Sequence, residues 1–290
     1  MIVKLHFAPF NFLIKTLLAS EQLLATEPVV AGGFPVALFS ALKCIDTAQD
    51  WAQLVDQINK WGFRVISTDF GDVDIYYLQG NPIWHAEHQW LVADTMRNGP
   101  YRSNDNEFGH IRPRPDYYRR WANSYMKRHD GNEVHYQFIK YPQTTIEDCL
   151  GGFDLKICCI AWHKEQIYVH DSFEEAFDRA EIQANAPGFN KHSREDIYAR
   201  MFIALRAYKY ANRLRFELSS ELNSFCSTLY TETKSTDLSV DAPLRDASGH
   251  PSHNPVPASP AFQGVVKKFW REHEAYHNRV DRRTEPPTRL

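Results

Sequence analysis

Apolar positions at helical spacing open the chain: Phe10, Leu13, Ile14, Leu17 and Leu18 mark one face between residues 10 and 25, and Pro28 follows as a stop. VVAGGFP, residues 29 to 35, reads as a short strand running into a glycine turn, with Pro35 near the start of a helix through VALFSALK. Trp51, Leu54, Val55 and Ile58 recur at i, i+3, i+4 and i+7, which predicts a second core-facing helix that Gly62 ends. FRVIST and DVDIYYL are β-branched and aromatic runs on either side of Gly71, so a strand pair is expected there.

Asn81-Pro82 opens a further helix, and residues 99 to 116 carry the Gly, Pro, Asn and Arg of a loop. DYYRRWANSYMKRH is expected to be helical, EVHYQFIKY alternates like a strand, and FDLKICCIAW is apolar enough for a strand inside a sheet. QIYVHD pairs with it across the polar HKE, SFEEAFDRA makes a short helix, and residues 193 to 225 form one long amphipathic helical region capped by Ser193. From about residue 232 the composition turns to Thr, Ser, Asp, Pro and His, as in a linker, until FQGVVKKFWREHEAYHNRV offers a last helix before a charged tail.

With 290 residues, 43% hydrophobic and 24% charged, a folded domain with a sizeable core is expected and a disordered chain is excluded. No apolar run reaches the roughly 18 residues of a spanning helix, and Lys15 interrupts the one N-terminal stretch that looks like a secretion signal, so no membrane association and a cytoplasmic protein are expected. Cys44, Cys149, Cys158, Cys159 and Cys226 form no C-x-x-C pair and are expected to be buried packing residues. His85 and His88 lie one turn apart without an H-E-x-x-H frame, so zinc is not expected there.

The net charge of -3 gives no bulk sign of a nucleic-acid binder, but the charge is unevenly spread. Residues 97 to 128 hold eight Lys/Arg against three Asp/Glu, residues 191 to 216 seven against two, and residues 267 to 290 seven against four. The insert between 81 and 130 interleaves Arg102, Arg112, Arg114, Arg119 and Arg120 with Tyr101, Tyr117, Tyr118 and Trp121, a mixture suited to phosphate contact and base stacking, or to an aromatic cover over a sheet.

Three features carry chemistry in a particular order: Gly32-Gly33 at the mouth of a helix, Asp72-x-Asp74 on a strand, and Asp154 at the start of a later strand. Residues i and i+2 of a strand point to one side, so Asp72 and Asp74 present two carboxylates to one place. Such an oxygen pair suits Mg²⁺ or Mn²⁺, and a third carboxylate from Asp154 would admit a second ion for in-line phosphoryl displacement. The glycines let the backbone approach a phosphate at a helix N-terminus. Each signal is short; alone, Gly32-Gly33 reads as a turn, the aspartate pair as a solvated strand face and Asp154 as a strand-end cap.

As an ordered set, VVAGG (29 to 33), GDVDIYY (71 to 77), YQFI (136 to 139), FDLKICC (153 to 159) and RAYKYANR (206 to 213) resemble the nucleotidyltransferase superfamily of polymerase β type, over roughly residues 25 to 220. More narrowly they are similar to the uncharacterised nucleotidyltransferase-like proteins of phages and large DNA viruses. The resemblance implies an α+β fold, a small mixed β-sheet with flanking helices followed by a helical C-terminal region. It implies metal and catalytic roles for Asp72, Asp74 and Asp154, and a phosphate grip at Gly32 and Gly33. Arg206, Lys209 and Arg213, at i, i+3 and i+7, would meet the triphosphate from one helix face, or form an ordinary solvated face. Two departures stand out: Phe34-Pro35 follows the glycines, and 39 positions separate Gly33 from Asp72 where much of the superfamily has about a dozen.

The expected organisation is a nucleotidyltransferase-like core over 1–190 with the insert at 81–130, a helical region over 191–231, a linker over 232–262 and a terminal helix and tail over 263–290. The expected activity is transfer of a nucleoside monophosphate from an NTP to an acceptor hydroxyl, preferably an RNA end, with release of pyrophosphate. Two alternatives remain: a nucleotide- or nucleic-acid-binding module without chemistry, and a protein-modifying transferase of toxin-antitoxin type that docks a protein partner through the C-terminal tail.

Overall fold

Val29, Val30 and Ala31 are fully buried, and such a run forms a strand only if neighbours supply its ladder on both sides. In the computed structural model they form β2 (Val29–Ala31), hydrogen-bonded antiparallel to β3 (Val73–Tyr76) on one edge and to β7 (Ile160–His163) on the other. The structure describes residues 2–5, 27–43, 73–79, 102–103, 122–129, 132–139, 143–194, 196–242 and 256–284, with single positions at 11, 14, 15, 18 and 24.

Two compact units emerge, one of residues 1–152 and 158–174, the other of 153–157 and 175–290. The first is built on a mixed eight-stranded sheet in the order β1-β8-β7-β2-β3-β6-β5-β4, so the fold is α+β as expected, with a larger sheet than the sequence suggested. Its outer strands are β1 (Ile2–Leu5), β4 (Arg102–Ser103), β5 (Ala122–His129), β6 (Asn132–Ile139) and β8 (Gln166–His170). Only β3 and β6 run parallel; the other pairs are antiparallel. β7 and β8 form a hairpin through Lys164 and Glu165, with φ of 47° and 63°, the left-handed pair that matches strand twist in a two-residue loop.

Helix α1 (Gly33–Lys43) packs on β2, β3 and β7, burying Phe34, Val36, Ala37 and Leu38. Helix α2 (Ile146–Gly151) starts at a reciprocal cap: Asp148 N–H donates to Thr145 Oγ1 while Thr145 N–H donates to Asp148 Oδ2, each at 3.1 Å. It buries Ile146, Cys149 and Leu150. Helix α3 (Asp171–Asp178) follows β8, contributing Asp171–Glu174 to the first unit and Glu175–Asp178 to the second.

The second unit is helical, with α4 (Ala186–His192), α5 (Ile197–Leu214), α6 (Ser220–Ser235), α7 (Pro260–Thr284) and a short parallel pair, β9 (Glu181–Ile182) with β10 (Glu217–Leu218). Helix α5 is central, touching α4, α6 and α7. Ala204, Ala207 and Ala211 keep it slim, while Tyr208, Leu222, Phe262 and Phe269 fill the space around it.

Several local expectations change. Residues 122–129 are strand, not helix: β6 pairs with them from Ala122↔Ile139 to His129↔Asn132, and a long cross-strand ladder overrides a stretch whose helical signal is mostly composition. FDLKICCIAW is not one strand; Lys156–Cys158 make a 3-10 turn and β7 begins at Ile160, a distinction an unbroken apolar run cannot carry. The helical region expected over 193–225 holds two helices, α5 and the start of α6, with β10 between them. Asp196, not Ser193, caps α5, its side chain accepting from Ala199 N–H at 3.0 Å, while Ser193 ends α4. Arg215 at φ 58° ends α5, and Ser219 restarts the chain as α6, which runs past residue 232 to Ser235. The helix around Trp51, the strand FRVIST and most of the 81–130 insert lie outside the described residues.

Candidate functional site

Gly32 joins β2 to α1 with φ 82°, the left-handed region in which any side chain is strained. The sequence therefore has glycine where the chain turns from a buried strand straight into a helix, and Val36 N–H reaches back to Gly32 C=O at 3.4 Å. Pro35 sits in the first turn, where its missing N–H costs no helix hydrogen bond. The α1 N-terminus is thus backed by Gly32 and Gly33, as the sequence indicates.

β3 brings an acidic residue to that turn. Its antiparallel register pairs Val29 with Tyr76, Val30 with Ile75 and Ala31 with Asp74, so the end of β2 that leads into Gly32 lies beside the beginning of β3. Val73 and Ile75 are buried while Asp74 and Tyr76 are half-buried, placing Asp74 on the more open face. Asp72 lies outside the described residues. On the other edge Asp74 is in register with Gln137 of β6, whose side chain is 7% exposed. Asp74 is thus flanked in register by Ala31 of β2 and Gln137 of β6. The YQFI strand is legible in the sequence but Gln137 has no role there; only the sheet register reveals its position.

The charge of Asp74 is felt by α2. Burial pushes the Cys149 thiol far above its usual range, and the Asp74 carboxylate pushes it further. Cys149, Cys158, Cys159 and Cys226 are all buried thiols, in line with the packing role expected for them; Cys44 lies outside the described residues.

Asp154 belongs to the second unit. The segment that carries it is stitched to residues 183–185: Asn185 N–H donates to Asp154 C=O at 2.9 Å, Asn185 Nδ2 to Phe153 C=O at 2.8 Å, and Lys156 N–H to Gln183 C=O at 3.0 Å. Its side chain is 4% exposed, and Arg206 of α5 meets it, with Nε donating to Oδ2 at 3.0 Å and a terminal guanidinium nitrogen donating to the same oxygen. A buried carboxylate needs such a partner. Two residues expected in separate roles, metal ligand and triphosphate contact, are here each other's counterion. Among the described residues no three His, Cys, Asp or Glu side chains are grouped closely enough to hold an ion.

Arg206, Lys209 and Arg213 do share one face, lining a cleft of about 400 Å³ between α5 and α7. Lys268 and Arg271 line it from α7, with Phe202, Leu205, Asn212 and Glu272 completing the wall. In the sequence those two α7 cations stand out only as part of a basic tail, and their i, i+3 spacing on one helix is the available signal.

No family model matches the chain. A heat shock transcription factor of Enterocytozoon bieneusi (strain H348) is 36% identical over 74 residues, 23% of this chain and 29% of that protein. Among solved structures, a CCA-adding enzyme in complex with ATP is similar at a TM-score of 0.44 and 11% identity, over 97% of this chain and 54% of that one. The Bacillus stearothermophilus CCA-adding enzyme in complex with CTP is similar at 0.44 and 14%, over 80% of this chain and 46% of that one. A tRNA nucleotidyltransferase complexed with a primer tRNA and an incoming ATP analogue is similar at 0.40 and 14%, over 88% of this chain and 58% of that one. The chain therefore spans less than two thirds of the length of each of these proteins. No helix among the described residues is long and apolar enough to cross a membrane.

Proposed function

We propose that the chain is a divalent-metal-dependent nucleotidyltransferase that moves a nucleoside monophosphate from an NTP to an acceptor hydroxyl, with an RNA end as the preferred acceptor. The observation that carries this reading is the β2–β3 register: Ala31 opposite Asp74 brings the glycine turn and the α1 N-terminus beside the Asp74 strand, which supports a phosphate grip next to an ion-binding carboxylate.

Asp74 fits Mg²⁺ or Mn²⁺ by donor chemistry, a hard oxygen donor at a half-buried strand position opposite Ala31, and Asp72 of the same Asp-x-Asp sequence is the second proposed ligand. Asp154 is the third proposed ligand. A bound ion supplies charge neutralisation at the transferring phosphate and lowers the pKa of the attacking hydroxyl. The backbone N–H groups after Gly32 and Gly33 orient the phosphates. Arg206 pairs with the Asp154 carboxylate, and its guanidinium would balance negative charge developing on the nucleotide. The acceptor oxygen forms its bond to the α-phosphorus while the bond to the bridging oxygen of the β-phosphate breaks. Pyrophosphate leaves with that electron pair, and the acceptor proton passes to solvent.

A second reading is favoured by one observation: Asp154 already has a guanidinium partner, as it would in a module that binds nucleotide or RNA without chemistry. Labelled NTP, Mg²⁺ or Mn²⁺ and RNA separate the two. Transfer of label that disappears in Asp74→Asn supports the enzyme; metal-dependent NTP binding without transfer supports the module.

A further inference from the structure

We infer that the cleft between α5 and α7 is a binding groove for the phosphodiester backbone of single-stranded RNA, formed by Lys209 and Arg213 on one wall and Lys268 and Arg271 on the other. The inference rests on the transferase reading only in giving that strand the role of acceptor.

Five of the nine residues that line the cleft are cations, Arg206, Lys209, Arg213, Lys268 and Arg271, and Glu272 is the one carboxylate. Glu272 pairs with its neighbour Arg271 at 3.2 Å and Asp154 with Arg206, which offsets two of the five cations and leaves the groove net positive. Arg213, Lys268 and Arg271 are exposed, and Lys209 is half-buried. The cations are spread lengthwise. From Arg206 to Arg213 α5 rises about 10 Å, at about 1.5 Å per residue. A polynucleotide carries one charge per residue along its length, so cations spread over that distance suit a run of phosphates better than one compact anion.

The remaining lining favours a strand over a compact anion. Phe202 and Leu205 are half-buried and give an apolar patch between the charges, against which a ribose or base can lie. Grooves that track single strands combine these two elements, cations for the backbone and an aromatic face for the bases. The Asn212 amide adds a donor and an acceptor to the same wall.

The test uses the full chain and a fluorescein-labelled 12-nucleotide RNA, followed by anisotropy across a salt series with no NTP or metal present. In Lys268→Ala/Arg271→Ala, affinity at 0.1 M salt should fall about tenfold. The slope of log K against log salt should flatten by about 1.4, at about 0.7 for each phosphate no longer neutralised. Lys268→Arg/Arg271→Lys, which keeps both charges, should bind like the wild type. Unchanged affinity and slope in the alanine variant would overturn the inference. So would displacement of the RNA by metal-free ATP or by polyglutamate as effective as by unlabelled RNA at equal charge. Because binding is read without NTP or metal, loss of the groove and loss of catalysis are separate results.

Discussion

Arg206 Nε lies 3.0 Å from Asp154 Oδ2, joining the middle of α5 to a buried carboxylate 52 residues earlier in the chain. Asp154 is 4% exposed and the Arg206 side chain 45%, so the carboxylate depends on the arginine far more than the reverse. Arg206→Ala leaves a buried charge without its partner. We expect a loss of about 1–2 kcal/mol in urea unfolding, reduced from the value for a fully buried pair because water reaches the guanidinium. Asp154→Asn should cost less, and a double-mutant cycle should show coupling of about 1 kcal/mol. Equal, additive losses would mean that the pair contributes nothing.

Gly32 gives the second prediction. Its φ of 82° is strained for any residue with a Cβ, so Gly32→Ala should lose about 1 kcal/mol or more and lower Tm by a few degrees. If the turn also cradles phosphate, the Kd for NTP should rise in the same variant, as measured by calorimetry. Gly33 lies within α1, and its replacement should affect binding more than folding.

These two sites show how much of the molecule the sequence discloses. The glycine turn, β3, β6 and the β7–β8 hairpin are legible because alternation, turn residues and a φ-permissive glycine are local signals. The Asp154–Arg206 pair is not, since nothing in FDLKICC or RAYKYANR indicates that a carboxylate and a guanidinium 52 positions apart will meet. Nor is Gln137, which matters only through a parallel register with Asp74. The strand at 122–129 reads as helix because its pairing partner, not its composition, decides its state. The break at Arg215 is hidden because the apolar pattern resumes at Phe216 and Leu218 on the other side of a one-residue turn.

A pH dependence should follow from α7. His273 accepts or shares a hydrogen bond with Tyr208 Oη at 2.6 Å, stacks on Tyr230 at 4.0 Å, and is pushed down to about 4 by burial and then by His277. Because the folded pKa lies below the usual 6.5 of an unfolded histidine, the unfolded chain binds the extra proton between these values. The stability of the second unit should therefore be complete above about pH 6.5 and decline as pH falls towards 4. Urea midpoints from pH 7.5 to 4.5 measure this, and His273→Gln should flatten the decline. An identical pH profile in that variant would contradict the assignment.

The buried thiols give a chemical test. Cys226 is pushed up to about 12 by burial, and Cys149 further still, so neither forms thiolate at pH 8 in the folded chain. Iodoacetamide at pH 8 should leave both unmodified over a time that fully labels the urea-unfolded chain, as read by peptide mass analysis. Rapid labelling of Cys149 would show that the region behind Asp74 opens to solvent.

The proposed dependence of nucleotide transfer on an ion held by Asp72 and Asp74 is open to direct measurement. Its most direct measurement is transfer of α-labelled NTP to a short single-stranded RNA, with Mg²⁺ or with chelator, by wild type, Asp74→Asn and Asp154→Asn. The account predicts label on the RNA and pyrophosphate in solution only with the ion present. It also predicts a fall of at least about 100-fold in Asp74→Asn, with unfolding otherwise unchanged. Transfer by Asp74→Asn at the wild-type rate, or transfer that persists under chelator, would contradict it.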